Sequence, residues 1–284
     1  MKQILTLVKW RIALLSAVAA VAGALLASTT VDWQFVWPVL GTYLLACGAA
    51  ALNQIQERHL DIQMQRTQHR PLPSGQMTLR TAQIVSGSLL LSGLGLLALT
   101  GHFLTVGLGV AAVLSYNALY TPLKRITPWA PVIGAIVGAF APAIGWTGVG
   151  GATHGPALVA LIVFFVVWQV PHFWLLFLRT EREYAAAGFP VLTAKLNPAR
   201  LKRVTVVWII ATASLGLLLP LFGAIRHLAV AGVLVAVAGW LAWSTRSFMG
   251  PAPHSDRQAF AAINAFAVTL LGAIIFEQVW RSGL

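Results

Sequence analysis

Acidic side chains are nearly missing from this sequence: 284 residues carry only seven Asp and Glu. Charge of either sign is scarce, at 9% of residues against about 25% in an ordinary soluble domain. With 58% hydrophobic residues and a mean hydropathy of +0.80, that deficit excludes a water-soluble globular protein. One cysteine, Cys47, excludes an intramolecular disulfide and a cysteine metal cluster. Walker loops, GxSxG, HExxH and dinucleotide-binding glycine fingerprints are also missing, which removes the signatures of several enzyme classes. The net charge of +12 comes without any long basic arm, so no nucleic-acid partner is expected. The basic residues fall in short loops, where lipid head groups or phosphates meet them.

Long apolar runs are what the sequence has in abundance. A helix needs about 20 apolar residues to cross the hydrocarbon of a bilayer. Such runs are predicted at 11–28, 34–56, 79–100, 103–120, 130–148, 156–178, 204–222, 227–245 and 259–279. The expected fold is therefore all-α: one integral-membrane domain over 1–284 with nine transmembrane helices and short polar loops. Charge supports the count. With nine crossings, 17 of the 19 Lys and Arg fall on one side, and only Arg226 and Arg281 on the other. The positive-inside rule then places the N-terminus and the polar loops in the cytoplasm and the C-terminus opposite. No convincing signal-cleavage site or transit peptide is seen, so a bacterial inner membrane is expected. Gly134 and Gly138 suit close helix approach, while Gly145-Trp146, Trp33 and Trp37 suit interfacial anchoring.

Two of the few acids stand together after the second run, in the segment NQIQERHLDIQMQRTQHR from Asn53 to Arg70. Asn53, Glu57 and Asp61 recur at i, i+4 and i+8 and so share one helix face. Carboxylates at a membrane boundary are costly unless they hold a cation. An acidic pair can share Mg²⁺ whose shell is completed by water and substrate phosphate. Arg66 and Arg70 offer guanidinium groups for phosphate oxygens. The competing reading is an interfacial ion-pair network of Glu57 and Asp61 with Arg58, Arg66 and Arg70.

Three further loops on the same side carry unusual chemistry. Tyr120, Lys124 and Arg125 follow the fourth run; they suit diphosphate, and equally an aromatic belt with positive-inside charge. The sixth run ends in Trp168-Gln169-Val170-Pro171-His172-Phe173, where Gln169 and His172 should face protein or a cavity rather than lipid. His172 is either a packing histidine or a substrate contact. Glu181, Glu183 and Tyr184 follow, and one of the two acids suits a metal shell. His254, Asp256 and Arg257 precede the ninth run, where Ser255 or Asp256 reads best as a helix N-cap.

These segments together resemble the intramembrane prenyltransferases of the UbiA superfamily, over most of the chain. The NxxxDxxxD motif of that superfamily appears as Asn53-xxx-Glu57-xxx-Asp61, with Glu57 where Asp is usual. Within it the likeness is to the protoheme IX farnesyltransferase branch. MxRTxxRPLxxG is matched by Met64, Arg66, Thr67, Arg70, Pro71, Leu72 and Gly75, and YTxxLKRxTP by Tyr120 through Pro128. WQxPHF is matched by Trp168 through Phe173, and acidic-Tyr-xxAGxP by Glu183, Tyr184, Ala187, Gly188 and Pro190. Val191-Leu192-Thr193 and Trp129-Ala130-Pro131 depart from the branch's pattern. The resemblance implies a UbiA-like helical barrel that transfers a farnesyl group from farnesyl diphosphate to a vinyl group of haem B. It implies Mg²⁺ held by Asn53, Glu57, Asp61 and Glu183, and leaving-group oxygens neutralised by Arg66, Arg70, Lys124 and Arg125. Tyr120, Trp168, Gln169, His172 and Tyr184 would then line the substrates, and a haem A synthase or terminal-oxidase assembly factor would be a partner. The alternatives are a UbiA-type enzyme acting on 4-hydroxybenzoate or a quinone precursor, and a multi-pass transporter. A transporter requires ionisable residues along a transmembrane path, whereas these acids collect at one face.

Overall fold

The computed structural model describes residues 1–28, 32–153, 155–250 and 255–282, so His254 lies outside it. A lone segment in hydrocarbon satisfies its backbone polar groups only by coiling into a helix. The helices are α1 (Lys2–Leu7), α2 (Trp10–Ala27), α3 (Val36–Asp61), α4 (Leu79–Ala98), α5 (Phe103–Val113) and α6 (Thr121–Leu123). They continue with α7 (Ala130–Gly134), α8 (Val137–Gly148), α9 (Pro156–Ala186), α10 (Pro198–Leu218), α11 (Leu228–Met249) and α12 (Ser255–Ser282). Counting α5–α6 and α7–α8 as one crossing each, nine helical spans among the described residues are long and apolar enough to traverse a membrane. The expected all-α, nine-span fold is borne out. Gly101, at φ +75°, makes the turn that separates the third span from the fourth.

Consecutive spans pack side by side, and the last returns to the first: α12 touches both α11 and α2. The result is a closed ring in chain order. Inside it α2 packs on α8, and α9 on α12, around a core that includes Phe164, Phe266, Leu161, Ile263 and Leu270. Lipid tails provide no hydrophobic drive between helices, so close contact of small residues has to hold them together. At the tightest point α2 and α8 meet backbone to backbone. A Cβ on Gly23 would overlap the Pro142 carbonyl, and one on Gly145 the Ala20 carbonyl.

Gly134 and Gly138 serve a different purpose from the expected helix approach. Their missing side chains leave room for the Tyr120 ring and the Gln169 amide, respectively. Trp146 is also not an interfacial anchor: it is buried, and its indole N–H donates to the Ala152 carbonyl at 2.9 Å. Trp33 is exposed, as a belt residue should be. At the ninth span Ser255 is the first helical residue and Asp256 lies in the first turn, where a carboxylate favours the helix dipole.

Candidate active site

Asn53, Glu57 and Asp61 lie on the last three turns of α3 and are all buried, at 2%, 4% and 0% exposure. Burying two carboxylates stabilises nothing unless each is compensated. Each has its own cation. Asp61 Oδ2 accepts from Arg70 at 2.7 Å, and Glu57 is ion-paired with Lys124. The α3–α4 loop curls back to deliver Arg70, and Thr67 Oγ1 donates to the Asp61 carbonyl at 2.9 Å to fix that curl. Asp61 Oδ1 is buried with no hydrogen-bond partner among the described residues, an unfilled acceptor at the centre of a cationic cluster.

A third cation completes the cluster. Lys9 Nζ donates to Asn53 Oδ1 at 3.2 Å, and Asn53 Nδ2 donates to Thr121 Oγ1 at 3.1 Å. Lys9 joins α1 to α2 and, among the described residues, is the only non-glycine at positive φ, +49°. Such a backbone costs of order 1 kcal/mol or more and persists only where its surroundings impose it. Gln54 imposes it, by donating to the carbonyls of Thr6 and Leu7 at 2.9 and 2.8 Å. Burial, then the nearby Arg70 and Lys124, push the Lys9 ammonium down to about 7. A cationic cluster strained in this way is built to receive an anion.

The opposite wall comes from an irregular stretch. Leu114–Tyr120 is a π-helix, whose wider turn brings Asn117 onto α3, while the Tyr120 ring lies against Phe173 and Gly134. Asn117 Nδ2 donates to the Ala49 carbonyl at 3.0 Å, and Gln56 Nε2 donates to the Asn117 carbonyl at 3.0 Å. The Tyr120 ring stacks between Tyr116 and Phe173, with centroids 5.9 and 5.7 Å away, and Lys124 Nζ sits 5.8 Å from it. Arg125 is directed elsewhere: it donates to the Gln56 carbonyl at 2.8 Å and so secures the loop to α3.

The remaining candidates cluster on α9. Trp168 donates to the Ile263 carbonyl at 3.1 Å, and His172 Nδ1 lies 2.8 Å from Asn264 Oδ1. Asn264 Nδ2 is committed to the Phe260 carbonyl at 2.6 Å. With that amide orientation Oδ1 faces the ring, so His172 carries its proton on Nδ1 and keeps Nε2 as an acceptor. Gln169 Oε1 is buried against Gly138 without a hydrogen-bond partner among the described residues. At the end of α9, Tyr184 packs on Phe177 and Phe189, and Glu183 Oε2 accepts from the Arg66 backbone N–H at 3.3 Å.

The structure thus brings Asn53, Glu57, Asp61, Arg70, Lys124 and Tyr120 into one site, with Arg66 and Glu183 at its edge. Among the described residues, no three of Asp, Glu, His and Cys converge as a ready metal cage. Any divalent cation here would need ligands from substrate oxygens and water, which is the usual habit of Mg²⁺. Residues that sequence reasoning passed over are Lys9, counted only as positive-inside charge, and Gln54, Asn117, Thr121 and Asn264. Of these, Gln54 and Thr121 lie inside the Asn53–Arg70 and Tyr120–Pro128 segments already singled out.

Nine helical spans among the described residues, with buried acids and cations clustered at one end of α3, form a membrane-embedded site chemically suited to an anion or a cation–anion complex. A profile of the UbiA prenyltransferase family matches residues 14–270, and the chain belongs to that family. More particularly, it is similar along its whole length to proteins named protoheme IX farnesyltransferase. One, from Geobacter sulfurreducens, is 37% identical over 281 residues, covering 97% of this chain and 99% of the relative. Another, from Oleidesulfovibrio alaskensis, is 33% identical over 279 residues, covering 98% and 97%. The fold is shared with a UbiA homolog from Archaeoglobus fulgidus bound to GPP and Mg²⁺. That likeness has a TM-score of 0.73 at 14% identity, over 99% of this chain and all of the other. A structure of digeranylgeranylglyceryl phosphate synthase superposes with a TM-score of 0.79 at 15% identity, over 98% of each chain.

Proposed function

We propose that the chain transfers a farnesyl group from farnesyl diphosphate to a vinyl group of haem B, giving haem O. The observation that carries this reading is the buried α3 cluster, in which Glu57 pairs with Lys124, Asp61 with Arg70 and Asn53 with Lys9, while Asp61 Oδ1 has no hydrogen-bond partner among the described residues. The names of the whole-length relatives support the choice of donor and acceptor. In the reaction the farnesyl C1–O bond breaks and diphosphate leaves with the electron pair. The vinyl π electrons close a C–C bond to C1, and water adds to the resulting cation, releasing one proton.

Asn53, Glu57 and Asp61, with Glu183 at the edge, would hold Mg²⁺, which supplies Lewis-acid stabilisation to the departing oxygens. Lys9, Arg70 and Lys124 neutralise the leaving charge from fixed positions. The Tyr116–Tyr120–Phe173 stack would give the allylic cation an electron-rich aromatic wall. The apolar ring keeps water from C1 until the acceptor has attacked. Trp168, Gln169, His172 and Tyr184 line the side on which the acceptor binds. The basic face is read as cytoplasmic in a bacterial inner membrane, with the C-terminus opposite.

Chelation tests the metal. EDTA is expected to abolish transfer and excess Mg²⁺ to restore it; full turnover in EDTA would contradict the reading. Lys9→Met is expected to raise KM for farnesyl diphosphate ~10-fold or more, the loss of one charge-assisted contact. An unchanged KM would remove Lys9 from the site.

A further inference from the structure

A second group of cations lies outside the α3 cluster. Arg66, Arg179 and Arg257 line a 270 Å³ cavity at the basic ends of α9 and α12, together with Leu176, Thr180 and Asp256. Among the described lining residues three guanidinium groups accompany one carboxylate, Asp256, so positive charge is in excess. Among the described residues none of the three guanidinium groups is in an ion pair, and their only side-chain engagement is the stacking of Arg179 on Phe260 at 5.2 Å. Arg66 is brought in by the α3–α4 loop, tied to α9 through its backbone N–H and Glu183.

Through Arg179 the cavity is linked to a row of aromatic rings on α9 and α12. Phe260 carries Arg179 on its ring and lies 5.1 Å from His172, which in turn lies 4.8 Å from Trp168. Arg179 is seven residues beyond His172 on α9, about 10 Å along the axis. Positive charges at one end of a row of aromatic rings match a planar molecule with two carboxylates on one edge. Haem B is such a molecule: its two propionates share one edge and its vinyl groups lie away from it.

We propose that Arg66, Arg179 and Arg257 seat the two propionates of the porphyrin acceptor, turning its vinyl-bearing portion into the helical ring. This rests on the transfer reading given above and deepens it. Guanidinium groups suit carboxylates because two parallel N–H bonds fit the two oxygens. Two ionised propionates would offset the excess positive charge of the described lining. The seat also gives a source of specificity: a phenolic acceptor with one carboxylate leaves a positive charge unmatched.

Haem B and its propionate dimethyl ester, each assayed with farnesyl diphosphate in zwitterionic detergent, test the seat. Wild-type protein is expected to show a KM lower for haem B than for the diester by ~10- to 100-fold. Arg179→Gln with Arg257→Gln is expected to lose that preference to within about threefold, with KM for farnesyl diphosphate unchanged. Arg179→Lys with Arg257→Lys should recover part of it. Equal use of acid and ester by wild type overturns the seat and leaves the transfer reading standing. Equal weakening of both acceptors in the Gln variant also overturns it, since that is a structural effect. An effect of the variant seen only when anionic lipid is added assigns the arginines to head groups instead. A wild type that converts neither porphyrin overturns the transfer to haem, and the seat with it.

Discussion

Asp61→Asn is expected to lower the rate of farnesyl transfer by at least ~10²- to 10³-fold while leaving a folded protein, and Glu57→Gln to do nearly as much. The amides keep the shape of each side chain and remove the charge that a metal or diphosphate complex needs. The competing account is that both acids only neutralise Arg70 and Lys124. Breaking a buried pair from one side leaves a charge stranded, whereas removing both partners relieves it. A double-mutant cycle separates the two accounts. If Asp61 is only a counter-ion, Asp61→Asn with Arg70→Gln recovers activity relative to the single variant. The present account expects the pair to stay inactive. Thermal melts of all three variants show whether lost activity follows lost folding.

Gly145→Val is expected to prevent accumulation of monodisperse protein, or to lower Tm by more than 10 °C. Its side chain would occupy the space of the Ala20 carbonyl, a backbone atom that cannot rotate away. Accommodating it requires α2 and α8 to separate along their whole contact, since Gly23 and Pro142 form the same kind of approach in reverse. Overpacking usually costs ~1–3 kcal/mol, and a rigid neighbour puts this case at the top of that range or beyond. Gly232→Ala and Gly239→Ala in α11 are the controls. Nothing lies within 4 Å of a Cβ at either position, so both variants should melt with wild type or slightly above it. Equal stability of Gly145→Val and the controls would show that the α2–α8 contact carries no weight.

Hydropathy made the nine spans legible, because crossing hydrocarbon is a property of composition and length. Helix ends were less legible. The second span was expected to end at residue 56 and the sixth at 178, but α3 runs to Asp61 and α9 to Ala186. Hydropathy falls where lipid ends, while the helices continue into polar turns held by contacts such as Arg70 on Asp61 and Tyr184 on Phe189. Those extra turns carry the acids of the site. The i, i+4, i+8 spacing correctly put Asn53, Glu57 and Asp61 on one face, since helical periodicity is local. Lys9 escaped notice because its position depends on Gln54, 45 residues away, and on a backbone conformation with no signature in a lysine. The π-helical turn that aims Tyr120 was hidden for the same reason. Ring closure by α12 on α2 belongs to tertiary packing, and apolar faces alone do not choose their neighbours.

The most direct measurement is the mass of the porphyrin product. Purified protein is incubated with Mg²⁺, farnesyl diphosphate and haem B, and a parallel reaction offers 4-hydroxybenzoate. The account predicts haem O, heavier than haem B by one farnesyl group and one hydroxyl, and no prenylated benzoate. Unaltered haem B beside prenylated 4-hydroxybenzoate would contradict it.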